Sequence, residues 1–244
     1  MLHIQNISRH IGNNHIINDI DLTITQWQAI WLVWPNGCGK TSLLNLINGF
    51  NIPQSGSIIF NDKHITKLSV EQRALHGIGR VFQNFGIFKN LTLEENLSLA
   101  FVHQLTRRQK CLPIDFLPQD IKDKITDILE DLELYDKRKH LAGSLSWGQM
   151  RLLELARLYL QDTKLYLLDE PTAWVSPKLK GKVTALIQKI RTAWKTILIV
   201  EHDFAFLSQF VDEICVMNEG TIIVRDTPQN IPHNPKVREV YFGK

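Results

Sequence analysis

An α/β fold interrupted by a helical block is what the sequence predicts, on three observations. Short apolar runs alternate with segments whose apolar residues recur at helical spacing. A glycine-containing loop ending in Lys40-Thr41 sits between one such run and one such helix. From Leu91 to Leu160 the pattern turns helical before the alternation resumes. The 244 residues are 44% hydrophobic and 22% charged, enough apolar chain for a large core and too much for a disordered one. Apolar runs such as 29–34 and 196–200 fall far short of the roughly 20 residues a membrane-spanning helix needs. Polar Gln5, Asn6, Ser8, Arg9 and His10 argue against a signal peptide. Cys38, Cys111 and Cys215 lie far apart without metal-ligand spacing, so a reduced, cytosolic setting is expected. A net charge of +3 is too mild to predict a nucleic-acid partner, although it tolerates an anionic surface.

Taken in order, residues 19–24 alternate apolar and polar, and 29–33 are continuously apolar, two strand signals. Lys40 to Gly49 carries Leu43, Leu44, Leu46 and Ile47, a helix closed by glycine. Residues 57–60 and 79–83 read as short strands. Thr92 with Glu95 three residues on is a capping box, and 121–134 repeat apolar residues at helical spacing. Two prolines make 111–118 a loop. Strands at 165–168 and 196–200 bracket a helix at about 178–191, and 214–217 with 221–224 form a hairpin around Asn218-Glu219-Gly220.

The loop Trp34-Pro35-Asn36-Gly37-Cys38-Gly39-Lys40-Thr41 lies in the strand–turn–helix context where backbone amides wrap a phosphate, aided by the positive end of the helix. Lys40 is placed for the β- and γ-phosphates and the Thr41 hydroxyl for Mg²⁺. The pattern G-x-x-x-x-G-K-[ST] is broken at its first position by Trp34. Further on, residues 165–168 run into Asp169-Glu170-Pro171-Thr172, which puts a carboxylate at the end of a buried strand, within reach of a metal directly or through water. Glu170 beside it can orient or deprotonate an attacking water. Alone, this tetrapeptide reads equally as a solvated acidic turn. His202, after the next strand, is a candidate contact for the γ-phosphate or the water, and alone reads as a surface histidine.

Two further segments join these pieces: Phe82-Gln83, and Leu145-Ser146-Trp147-Gly148-Gln149-Met150-Arg151 opening an amphipathic helix. Phosphate loop, glutamine, LSxGQ, LLDEPTA and histidine in this order resemble the nucleotide-binding subunit of ATP-binding cassette (ABC) transporters, across nearly the whole chain. Residues 77–83, 88–92, 171–177, 227–228, 234–237 and 240–243 are most similar to subunits of branched-chain amino-acid and urea-type importers. The lipopolysaccharide exporter's subunit is similar in the tail.

The resemblance implies a P-loop NTPase core with an N-terminal antiparallel β subdomain (1–84 and 161–244) and a helical signature subdomain (85–160). It implies an ATPase driving transport, with ATP and Mg²⁺ as cofactors, transmembrane permease subunits and a second cassette as partners, and no nucleic acid. The subunit would sit peripherally on the cytoplasmic face of the inner or plasma membrane. Asn36, Gly37, Cys38, Gly39, Lys40, Thr41 and Ser42 would bind ATP from one side, and Ser146, Gly148 and Gln149 of a facing subunit from the other. Asp169, Thr41 and Gln83 would serve Mg²⁺, with Glu170 acting on water, His202 on the γ-phosphate, and Gln83 linking the site to the helical block. The adenine-stacking aromatic is replaced by Ile11, beside His10.

The composition carries one anomaly. There are six Trp against four Tyr, and 13 Gly where ~7% usage predicts roughly 17. The family pattern has glycine at 34, 147 and 174, and commonly at 27 and 194; all five are Trp here, while Trp31 lies within a strand. A single base separates GGG from the Trp codon, so an altered sequence and a divergent natural one are both open readings. Trp34 is expected to weaken ATP binding and Trp147 to obstruct the two-subunit closure that assembles the hydrolytic site. Reduced hydrolysis follows, with a non-hydrolysing nucleotide-binding or regulatory module as the alternative. Cassette proteins acting on DNA or ribosomes carry two cassettes or a coiled coil, for which 244 residues leave no room.

Overall fold

The computed structural model describes residues 1–12, 14–33, 40–82, 86–105, 114–201, 203–208 and 210–242. Strands β1 (Leu2–Ile11), β2 (Asn14–Ile24) and β3 (Ala29–Val33) lead to helix α1 (Lys40–Asn48). Then come β4 (Ser55–Phe60), β5 (Lys63–His64), α2 (Val70–Leu75) and β6 (Ile78–Val81). Helices α3 (Leu93–Ser98), α4 (Gln119–Asp131) and α5 (Trp147–Leu160) follow. After β7 (Leu165–Asp169), α6 (Pro177–Thr192), β8 (Thr196–Val200) and α7 (Phe204–Leu207), the hairpin β9 (Glu213–Asn218) and β10 (Thr221–Asp226) precedes α8 (Pro235–Phe242).

The chain divides into two compact units. The first comprises Met1–Arg80, Thr163–Glu170 and Arg191–Lys244; the second comprises Val81–Asp162 and Pro171–Ile190. The first unit holds an antiparallel sheet of order β2-β1-β4-β5 and a six-stranded sheet of order β10-β9-β3-β8-β7-β6. Strands β7, β3, β8 and β9 run parallel. β7 and β8 are buried along their whole length, which is why they read as unbroken apolar runs rather than alternating ones. The β9–β10 turn pairs Asn218 with Thr221 across Glu219 and Gly220, both at positive φ, as a two-residue hairpin loop requires. The Gly220 carbonyl accepts from Asn18 N–H of β2 at 2.9 Å, tying the two sheets together.

Helix α1 ends at Gly49 (φ +90), and the fully buried Arg73 of α2 takes over its last carbonyls. The guanidinium donates to Leu46 O at 2.5 Å and Ile47 O at 2.9 Å, and to Thr66 O at 2.8 Å. Burial lowers the Arg73 pKa to about 10, and the carbonyl dipoles at a helix C-terminus are what make a charge tolerable there. A side chain at Gly49 would press on Arg73 Nε at 2.9 Å.

In the second unit, the capping box of α3 forms as predicted: Thr92 Oγ1 accepts from Glu95 N–H, and Glu95 accepts from Thr92 N–H. Helix α4 buries Ile121, Ile125, Ile128 and Leu129 on one face. Two local expectations are corrected. The 111–118 loop contains a helical turn at Ile114–Phe116, with 111–113 outside the described residues. The strand predicted to reach Gln83 ends at Val81, because the Phe82 carbonyl accepts from the Arg151 guanidinium instead of a neighbouring strand.

Candidate functional site

Parallel pairing fixes one edge of the first unit. Leu32 is in register with Val200, and so is Asp169. The carboxyl ends of β3, β7 and β8 therefore finish level, and the chain leaving each strand carries the phosphate loop, Glu170 and the segment of His202. Ligands of open α/β sheets bind at this edge. Asn36, Gly37, Cys38, Gly39, Gln83, His202 and Trp34 lie outside the described residues. Of Lys40 only the backbone is described, as the first residue of α1; Thr41 is exposed and Ser42 half-buried in its first turn.

Asp169 is buried and paired with Arg80, Nη2 to Oδ2 at 3.0 Å. Arg80 Nη1 also donates to Asn45 Oδ1 of α1 at 2.6 Å, so one guanidinium bridges the phosphate helix and the acidic strand end. Burial pulls the Arg80 pKa down, and the adjacent Asp169 carboxylate opposes that shift. Glu170 sits at φ +46 with its N–H donating to Val200 O at 2.9 Å, a strained backbone held by the sheet. No motif marks Arg80 in the sequence: a charged residue in a four-residue strand gives no sign of a buried partner 89 positions away. Beyond the acidic edge, the ring of His10 stands edge-on to His15, 3.9 Å between centroids.

The second unit holds the other motif. Ser146 caps α5, its Oγ accepting from Gln149 N–H at 3.3 Å while Gln149 Oε1 accepts from Ser146 N–H at 3.1 Å. Gly148 is buried beside the start of α6: a Cβ there would meet Leu179 Cδ1 at 2.7 Å and Val175 Cγ1 at 3.6 Å. Between them Trp147 occupies the first helical position, exposed, with Lys89 Nζ 6.0 Å from its ring centroid. The first-turn amides of a helix attract anions.

Farther along α5, the buried Arg151 and Glu154 and the half-buried Arg157 form an ionic cluster, which the amphipathic pattern of Leu152, Leu153, Leu155, Ala156 and Leu158 did not reveal. Arg151 pairs with Glu154 at 2.9 Å and donates to Phe82 O at 2.5 Å. Glu154 accepts from Gly86 N–H at 3.0 Å, and Arg157 donates to Gly86 O at 2.6 Å. The helix thus grips the chain on both sides of Gln83. Burial raises the Glu154 pKa, with Arg151 opposing it.

The tryptophans divide sharply. Trp31 is 2% exposed and its Nε1 donates to Glu201 O at 2.8 Å. Trp27, Trp147, Trp174 and Trp194 are 50%, 62%, 84% and 68% exposed.

The family model described as ABC transporter matches residues 17–173. The high-affinity branched-chain amino acid transport ATP-binding protein LivG of Escherichia coli K12 is 31% identical over 250 residues, covering 100% of this chain and 98% of that one. A probable branched-chain amino acid transport ATP-binding protein of Archaeoglobus fulgidus is 32% identical, with 100% and 95% covered. The lipopolysaccharide export system ATP-binding protein LptB of Haemophilus influenzae is 28% identical, with 98% and 96% covered. Among solved structures, an ATP-binding cassette of an ABC transporter in its ADP conformation superposes with a TM-score of 0.84 at 29% identity, covering 100% of this chain and 99% of the other.

Proposed function

This chain belongs to the ABC transporter ATP-binding family, and from that premise we propose that it is the ATPase subunit of an importer of the branched-chain amino-acid or urea-type class. The solute class is supported by relatives named as branched-chain amino acid transport proteins at about 30% identity, set against a lipopolysaccharide export relative at 28%. The observation that carries the reading is the split of the motifs. The phosphate helix and the acidic strand end belong to one unit, the capped signature helix to the other, and each occurs once per chain. Two cassettes facing head to tail then enclose ATP, and permease subunits hold the pair at the cytoplasmic face of the membrane. No helix among the described residues is long and apolar enough to cross a membrane itself. In this reading 85–160 is the helical signature subdomain, and 1–84 with 161–244 the core.

Asn36, Gly37, Cys38, Gly39, Lys40, Thr41 and Ser42 cradle the phosphates, and Ser146, Gly148 and Gln149 of the facing subunit close over them. Mg²⁺ fits the donor set: a buried carboxylate at Asp169, the Thr41 hydroxyl and the Gln83 amide oxygen are all hard oxygen ligands. When bound, the ion neutralises charge on the β- and γ-phosphate oxygens. Glu170 takes the proton of the attacking water and His202 holds the γ-phosphate.

Hydrolysis by the chain with Trp34 and Trp147 is strongly reduced in this reading. Trp147 sets an exposed indole on the first turn of α5, where a facing subunit's phosphates must approach backbone closely. The chain produced with tryptophan at 34 and 147, purified with its permease subunits, should release little phosphate, and Trp34→Gly with Trp147→Gly should restore release. Normal turnover without those replacements overturns the reduced-hydrolysis reading. A second reading is a nucleotide-binding module without turnover. That reading predicts saturable ATP binding with no phosphate release even after both replacements.

A further inference from the structure

We propose that positions 27, 34, 147, 174 and 194 are glycine in the protein its own host makes, because the host reads the codon at these five sites as glycine. The backbone supplies the first argument. Trp27, Trp174 and Trp194 have φ of +64°, +62° and +56°. The other non-glycine residues at positive φ among the described residues are Asn6, Asp19, Asn61, Asp62, Glu133, Glu170 and Glu219. Asn and Asp enter the left-handed region with the help of short polar side chains, and a bulky aromatic does so only as an outlier. Three tryptophans in this region of one chain call for a common cause.

The local structure at these sites asks for glycine. Trp194 lies two residues beyond α6, its N–H donating to Arg191 O at 3.1 Å, the left-handed position after a helix that glycine usually fills. Trp27 lies between β2 and β3, its N–H donating to Thr196 Oγ1 at 2.9 Å and its carbonyl accepting from Arg191. Both backbone groups are used and the indole is left to solvent. Its ring stands 5.7 Å from that of Trp194, another member of the same set. These two indoles, with Lys164 and Lys195, line a hollow of about 260 Å³. Trp147 keeps an ordinary helical position, but its indole is exposed in the signature motif; Trp34 lies outside the described residues.

Trp31 is the internal control. It is buried, hydrogen-bonded, and 5.5 Å from the ring of Phe204, a tryptophan the fold uses. A cause acting on tryptophan in general would have struck it too. A cause acting on one codon would not. Tryptophan is written UGG, and also UGA where that triplet is not a stop; each is one base from a glycine codon. If UGA stands at the five sites and UGG at 31, one reassigned triplet accounts for five of the six tryptophans and leaves Trp31 as the ordinary one. It also restores the glycine count to ordinary usage.

The inference rests on the transporter-subunit reading only at 34 and 147; the other three sites stand on backbone geometry. Its test is tandem mass spectrometry of peptides from the protein isolated from its own cells, with the gene's codons read alongside. Glycine at all five positions, tryptophan at 31, and a codon at 31 different from the other five are expected. Tryptophan in the peptides at any of the five, or a codon shared by 31 and any of them, overturns the proposal. Peptide masses are blind to turnover, so the proposal and the ATPase reading can fail separately.

Discussion

Residue by residue, the energetic question is what an indole gains where it sits. Trp174 holds a left-handed backbone that costs a bulky residue about 1–2 kcal/mol, and its exposed ring recovers little of that by burial. Trp174→Gly removes the strain but adds about 0.5–1 kcal/mol of unfolded-chain entropy. The expected result in urea unfolding is a net change between about zero and a gain of about 1.5 kcal/mol. Trp31→Gly is the opposite case: it empties a buried site and leaves the Glu201 carbonyl without its indole partner, costing at least about 3 kcal/mol. A stability loss at Trp174 would mean that its indole is part of the fold.

Among the elements, α5 joins a sequence motif to a set of ionic contacts. Its N-terminus carries the signature and its middle holds Phe82 and Gly86, the flanks of Gln83, through Arg151, Glu154 and Arg157. Glu154→Ala leaves the Arg151 guanidinium buried without its carboxylate, and should destabilise the protein by about 3–5 kcal/mol in denaturant titration. Replacing Arg151 and Glu154 together with methionine should cost less than that single change, since the Arg151 charge goes with its carboxylate and Arg157 keeps its bond to the Gly86 carbonyl. Strands β3, β7 and β8 were legible because burial on both faces requires continuous apolar sequence. Strand β1 was not: its register shifts between Ile4 and Ile7, and Asn6 at φ +47 breaks the alternation that would have marked it. The buried arginines were missed for a related reason. Hydrophobic periodicity counts Arg73, Arg80 and Arg151 as surface, whereas each is buried against carbonyls or carboxylates. The candidate site was legible as motifs, because phosphate loops and strand-end carboxylates are contiguous in sequence. The groups that brace it are scattered, so they were not.

For the whole molecule, the proposed reading makes assembly the controlled step. With Trp34→Gly and Glu170→Gln, ATP can bind but is not consumed, and Trp147 then decides whether two cassettes close. Size-exclusion chromatography with ATP and Mg²⁺ should show monomer when Trp147 is retained and dimer when Trp147→Gly is added. Dimer in both would show that the signature indole is no obstacle. The bridge from Asn45 through Arg80 to Asp169 has a bearing on that event. Because the phosphate helix and the acidic strand end are already braced against each other, their alignment is part of the folding free energy. In the proposed reading nucleotide spends none of its binding energy on aligning these two elements, and that energy remains available to draw a second subunit in.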